Sequence, residues 1–257
     1  MSVLQFGLLV LAGACAGLIG SVAGLASLVS YPALLATGVP PLTANVTNTV
    51  ALVLSGVGAV SASRPELTGQ RRRLVPLCVA GLCGGVAGAI LLLLTPSAAF
   101  EKLVPFLIVA ASVAILVQRP PRESAAEGAA HAAEHPRRRP WGLIWGTFAI
   151  SIYGGYFGAA AGVLMLAMFL LAAGEGVPVS NALKNVVLTV ANGVAALGYA
   201  VFADVDWPAA LPLAIGFLGG GRLGPSVVRR VPQTALRRLI ALAGVGLAVY
   251  LGLDAYR

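Results

Sequence analysis

From Met1 to Ser63 the chain carries no Asp, Glu, Lys, Arg or His. A water-soluble domain needs charge to cover its surface, and a stretch this long without any cannot supply it. Apolar runs of about 18 residues or more read as membrane-spanning helices, and here they recur to the C-terminus. Composition agrees: 58% of residues are hydrophobic, 10% are charged, and the mean hydropathy is +0.91. The chain is therefore expected to be an all-α integral membrane protein of a bacterial inner membrane. Its first segment lacks a basic flank and is too long for a cleaved leader.

Eight apolar stretches can be drawn, at 2–37, 43–63, 74–95, 98–118, 141–173, 181–203, 208–227 and 234–253. The first and fifth far exceed the roughly 20 helical residues that cross a bilayer. Both carry small residues mid-way, AGLIGSVAGLAS and YGGYFGAAAG. Gly20 with Gly24, Gly154 with Gly158, and Gly158 with Gly162 form GxxxG spacings. Such spacings serve close helix packing, and they also suit a helix break. One straight helix of this length would need extreme tilt, so each long stretch is read as a broken or re-entrant pair with Gly20, Gly24, Gly158 and Gly162 at the breaks.

Charge orients the segments. RPELTGQRRR (64–73), the linker 119–140 with its RRR, and the arginines 222, 229, 230, 237 and 238 belong on the cytoplasmic side, whereas ADVD (203–206) belongs outside. Every charged loop falls on its expected side if each long stretch goes in and returns, which leaves both termini external. The net charge of +8 thus reports topology rather than a nucleic-acid partner.

The two halves repeat. GLIGSVAG (17–24) answers GYFGAAAG (155–162), GVPPLTAN (38–45) answers GVPVSN (176–181), and TPSAAFEKL (95–103) answers VPQTALRRL (231–239). Asn48 matches Asn185 and Gly56 matches Gly193, while Thr47 stands where the second half has Lys184. An odd number of crossings per half makes the repeats inverted. The expected architecture is a first repeat at 1–118, a cytoplasmic polar linker at 119–140 and a second repeat at 141–257, each a broken helix pair followed by three transmembrane helices. Inverted repeats with paired broken helices are characteristic of secondary transporters. The linker contains HAAEH (131–135), formally a zinc-protease pattern, but no third ligand or catalytic domain surrounds it. No metal or cofactor is expected.

The chemistry concentrates in two polar stretches, ANVTNTVALVLSG (44–56) and NALKNVVLTVANG (181–193). A charge in hydrocarbon costs at least about 2.5–3.5 kcal/mol, so Lys184 should face protein or water. Asn181, Lys184 and Asn185 share a helix face, with Asn192 two turns on. Asn181 follows Pro178, where a helix would begin; its free N–H groups and positive dipole end would then join the ammonium in an anion site. The competing reading has Lys184 snorkel to the headgroups. In the first half Asn45, Thr47 and Asn48 offer neutral donors at the matching place, or ordinary capping and interhelical bonds. Arg222, in GGGRLG, is either a topology anchor or part of an entry vestibule.

Three stretches resemble the TauE/SafE family of membrane permeases, known for sulfite and organosulfonate export: GGYFGAAAGVLMLAMFLLAAG (154–174), NALKNVVLTVANGVAAL (181–197) and RRVP (229–232). The similarity covers essentially all of the chain outside the linker. The first half departs, with Ser21, Ala23 and Ala26 where the family usually has glycines. The resemblance implies a permease for a small anion, a sulfur oxyanion or sulfonate.

The only two lysines, Lys102 and Lys184, follow no glycine, so there is no nucleotide-binding P-loop. Acidic residues sit at segment ends, which gives proton coupling little support. Membrane potential alone supplies about 2.3 kcal/mol per charge per 100 mV to an exported anion. Two rivals remain. A non-transporting scaffold would tolerate apolar residues in the polar stretches. An intramembrane thiol enzyme would need Cys15, Cys78 or Cys83, which otherwise read as small buried hydrophobes. No acid, base and nucleophile set is visible, so no enzymatic activity is expected. The glycine stripes would allow a homodimer but serve internal packing equally well.

Overall fold

The computed structural model describes residues 2–117, 123–127, 130, 140–173 and 176–228. The eighth apolar stretch, the RRVP turn and HAAEH lie outside the described residues.

The chain is helical throughout its described transmembrane segments: α1 (Val3–Ala23), α2 (Ser27–Leu35), α3 (Pro41–Ala62), α4 (Arg64–Leu67), α5 (Arg71–Leu93), α6 (Ser97–Val117), α7 (Pro140–Tyr156), α8 (Ala161–Ala173), α9 (Val177–Phe202) and α10 (Trp207–Val228). Among the described residues, five helices are long and apolar enough to cross a membrane: α1, α3, α5, α6 and α9. The exterior is apolar, with Leu11, Val79, Ile90, Phe106, Leu197 and Ile215 all exposed. The interior holds Asn45, Thr47, Asn48, Asn181, Lys184 and Asn185, all buried. Apolar groups outside and polar groups inside is the arrangement a bilayer selects. This is a multi-pass membrane protein.

Both long apolar stretches are broken. The first divides into α1 and α2, the fifth into α7 and α8. At 1.5 Å per residue α1 is about 31 Å long, a length that could span the hydrocarbon, whereas the 9-residue α2 spans only about 13 Å and is too short to do so. The 13-residue α8 is also short, at about 20 Å.

Two glycine-rich helices organise the packing. On α10, Gly216 and Gly220 lie against Val10, Ala14 and Leu18 of α1, and from α1 Gly13 and Gly17 lie against Leu213, Phe217 and Gly221. The contacts advance in step, so α1 and α10 run parallel. On α5, Gly84 and Gly88 pack on Phe148, Ile152 and Tyr156 of α7, while Gly81 and Gly85 pack on Val187 and Ala191 of α9. Those pairs are parallel too. A missing Cβ on one face lets the backbones approach closely, the usual basis of helix association in lipid. The pairing is reciprocal between the halves: α1 with α10 matches α7 with α5, and α3 with α10 matches α9 with α5.

Cys15 and Cys83 are exposed and Cys78 is half-buried. The expectation that all three fill the core is therefore corrected; two lie on outward helix faces.

Candidate functional site

The site begins at the two helix breaks. Gly24 ends α1 in the left-handed conformation (φ 77°), its N–H donating to the Gly20 carbonyl at 2.7 Å. That is the usual role of glycine at a helix C-terminus. Gly158 (φ 76°) follows the end of α7, and Ala160 also has positive φ, 62°. Gly20 lies inside α1 and Gly162 inside α8. The paired sequences align Gly24 with Gly162, and these two glycines meet backbone to backbone: a Cβ on Gly162 would sit 2.5 Å from Cα of Gly24. Gly158 aligns with Gly20, so α1 continues one turn past the point where α7 stops.

A helix that ends inside a membrane leaves carbonyls without partners. Each broken end is capped by the polar helix of the other half. Lys184 of α9 donates from Nζ to the Gly20 and Ser21 carbonyls of α1, both at 3.2 Å. Asn45 of α3 donates from Nδ2 to the Tyr156 carbonyl of α7 at 2.9 Å. The Tyr199 hydroxyl donates to the Gly155 carbonyl beside it. An ammonium at the negative end of α1 is electrostatically well placed. It also explains the extra turn, since the residue matching Lys184 in the first half is Thr47, too short to cap an α7 extended likewise.

The other polar residues divide. Asn48 ties α3 to α2, donating to Ser27 Oγ at 3.1 Å and accepting from the Ser30 hydroxyl at 2.5 Å. Thr47 Oγ1 accepts from the Asp206 N–H at 3.0 Å, just ahead of α10. Asn181 is buried, with Oδ1 unpartnered. The second polar stretch does not begin its helix at Asn181: α9 starts four residues earlier at Val177, because Pro178 fits the first turn, where its missing N–H costs nothing. The free N–H groups of that turn therefore do not converge on Lys184. Nor does Lys184 snorkel; it is 1% exposed and turned inward.

A central cavity of about 60 Å³ lies where the two breaks meet α3 and α9. This is room for one small polyatomic ion or a couple of waters. Its wall includes Gly20, Gly24, Gly158 and Gly162 from the breaks, Ser55 and Gly56 from α3, and Lys184, Asn185, Thr189 and Asn192 from α9. Asn45, Thr47, Asn48 and Asn181 are not part of it. Among the described residues, no lining group is acidic and Lys184 alone is charged. Asn185, 5% exposed, has no hydrogen-bond partner for Nδ2. A buried donor without a partner costs about 1–3 kcal/mol, so this one is a candidate ligand group. Ser27, Ser55 and Thr189 are cavity residues that the motif reading passes over. Thr189 was accessible from spacing, since Asn185, Thr189 and Asn192 fall at i, i+4 and i+7. Arg222 is exposed on α10, away from the cavity wall.

The family model for the sulfite exporter TauE/SafE matches residues 9–251. The chain belongs to the TauE/SafE family. Among its relatives, a probable membrane transporter protein, ORF9, of a Sinorhizobium species is 27% identical, over 93% of this chain and 89% of its own. The probable membrane transporter YfcA of Escherichia coli K12 is 26% identical over 100% of this chain and 93% of its own. One from Haemophilus influenzae is 26% identical, over 90% and 88%. No solved structure matches. As a TauE/SafE member the chain is a membrane transporter, and the cavity between its broken helices is the natural place to look for its substrate.

Proposed function

We propose that this TauE/SafE protein is a permease for a small anion, sulfite or an organosulfonate, held in the central cavity and exported by alternating access. The observation that carries the reading is one buried ammonium and one buried amide unpartnered among the described residues, on a cavity whose described lining holds no acid. Lys184 supplies the charge; Asn185 and Asn192 supply neutral donors. An anion bound there gains charge-assisted hydrogen bonds, and a single positive charge holds it weakly enough for release.

Helix direction supports an inverted pair of repeats. Joined by only Ala203–Asp206, α9 and α10 form a hairpin and are antiparallel. Because α5 runs with α9, it runs against α10, its counterpart in the other half. The same holds for α7 and α1. These directions also agree with the loop charges, which put the arginine-rich loops in the cytoplasm and both termini outside a bacterial inner membrane. Midplane binding between such repeats suits rocking of one half against the other. The membrane potential would drive export.

The test is efflux of sulfite, a sulfonate and thiosulfate from proteoliposomes under an imposed potential. Wild-type protein should carry one of these selectively. Lys184→Met should lower that flux about 10- to 100-fold, as expected for loss of a hydrogen bond to a charged group worth about 1.5–3 kcal/mol. No flux of any anion from folded wild-type protein would refute the reading and favour a non-transporting scaffold.

A further inference from the structure

The central cavity has a neighbour. A groove of about 640 Å³ lies between the C-terminal half of α3, α4 and the N-terminal half of α9. Its wall is mostly Val and Leu, with Ser61, Arg64, Thr68 and Thr189 as its polar and charged residues. Thr189 belongs to both spaces, since it also lines the central cavity. It sits against Gly56 where α3 and α9 meet: a Cβ on Gly56 would meet Thr189 Oγ1 first, with Thr189 Cβ at 2.9 Å and Cγ2 at 3.0 Å. The Thr189 hydroxyl is turned back onto its own helix, donating to the Asn185 carbonyl at 2.5 Å. The Thr189 side chain, its hydroxyl oxygen nearest, thus fills the gap that the missing Gly56 side chain leaves. Arg64 lies at the far end of the groove, in the loop whose charge places it in the cytoplasm.

We propose that this groove is the cytoplasmic vestibule of the anion path and that Thr189, seated on Gly56, is its constriction. The inference rests on the central cavity being the anion site. Arg64 raises the local concentration of anions at the mouth. The narrow step from a space of about 640 Å³ to one of about 60 Å³ makes the ion shed water at Thr189 before reaching Lys184 and Asn185. The paired position in the first half is Leu52, which also lines the central cavity; the polar step therefore occurs on the α9 side.

Thiol accessibility tests this without needing the substrate. In a background with Cys15, Cys78 and Cys83 replaced by Ala, single cysteines are placed by Ser61→Cys and Thr189→Cys. Inside-out membrane vesicles are then treated with methanethiosulfonates bearing either a sulfonate or a trimethylammonium group. Both cysteines should react from the cytoplasmic side. The sulfonate reagent should react about threefold faster or more, and Arg64→Gln should remove that preference. Ser61, on the groove wall, keeps the test decisive if Thr189→Cys fails to fold. Reaction of either cysteine with an apolar maleimide but with neither charged reagent would mean a lipid-filled crevice and overturn the proposal. So would equal reaction from the outer face. Selective anion flux together with unreactive cysteines would remove the vestibule while leaving the permease standing; reactive cysteines in a protein that moves no anion would refute the permease and, with it, the vestibule, leaving only a water-filled groove.

Discussion

Lys184 and the asparagines around it show how alike residues acquire different work. Asn45 and Asn48 both have partners, the first donating to the Tyr156 carbonyl and the second held between Ser27 and Ser30. Replacing either by Leu leaves buried groups without partners, at a cost of about 1–3 kcal/mol. Asn45→Leu and Asn48→Leu are therefore expected to lower Tm in detergent, while flux per folded molecule falls less than threefold, since neither side chain lines the cavity (about 0.6 kcal/mol at most). The sequence shows which residues are polar and which share a helix face. It does not show which of them find partners. Lys184 caps carbonyls 163 and 164 residues away in the chain, a relation no local spacing contains.

Broken helices are the elements that set the site. Their existence was legible from length alone, because neither long apolar stretch could cross once. Their positions are legible to about a turn: Gly24 and Gly158 lie at the breaks, whereas Gly20 falls inside α1 and Gly162 inside α8. Gly20 and Gly158 align, yet α1 passes through Gly20 and ends at Gly24, because Lys184 is present to receive the additional turn. Gly24 carries two constraints, a positive φ and contact with Gly162. Gly24→Ala and Gly162→Ala should each sharply reduce the yield of monodisperse protein from detergent. Gly193→Ala is the control: its side chain would enter open space within α9, and the change should stabilise the helix by up to about 1 kcal/mol. Equal losses at all three glycines would mean that the contact between the breaks is unimportant. The start of α9 was misplaced by four residues for a related reason. The sequence pattern places Pro178 ahead of the helix, whereas proline is at home in its first turn.

For the whole molecule, the sequence repeat is the strongest signal in the chain, because its register drifts little along each half and polar positions recur with it. The reciprocal packing of α1 on α10 and α7 on α5 follows from glycine faces that sequence alone does not pair. Topology can be checked by introducing cysteines at Thr68 and Asp204 in intact cells. Cysteine at Asp204 should react with an impermeant reagent, and cysteine at Thr68 only after permeabilisation. The central claim, that the cavity between the breaks binds the anion, is tested most directly by Asn185→Leu, read by flux and Tm together. The Asn185 amide nitrogen has no partner among the described residues, so replacing it with an apolar group should leave Tm unchanged or raise it. Flux should fall at least about tenfold, the loss expected when a buried donor no longer meets a charged ligand. Undiminished flux from Asn185→Leu, with Tm intact, would contradict the account.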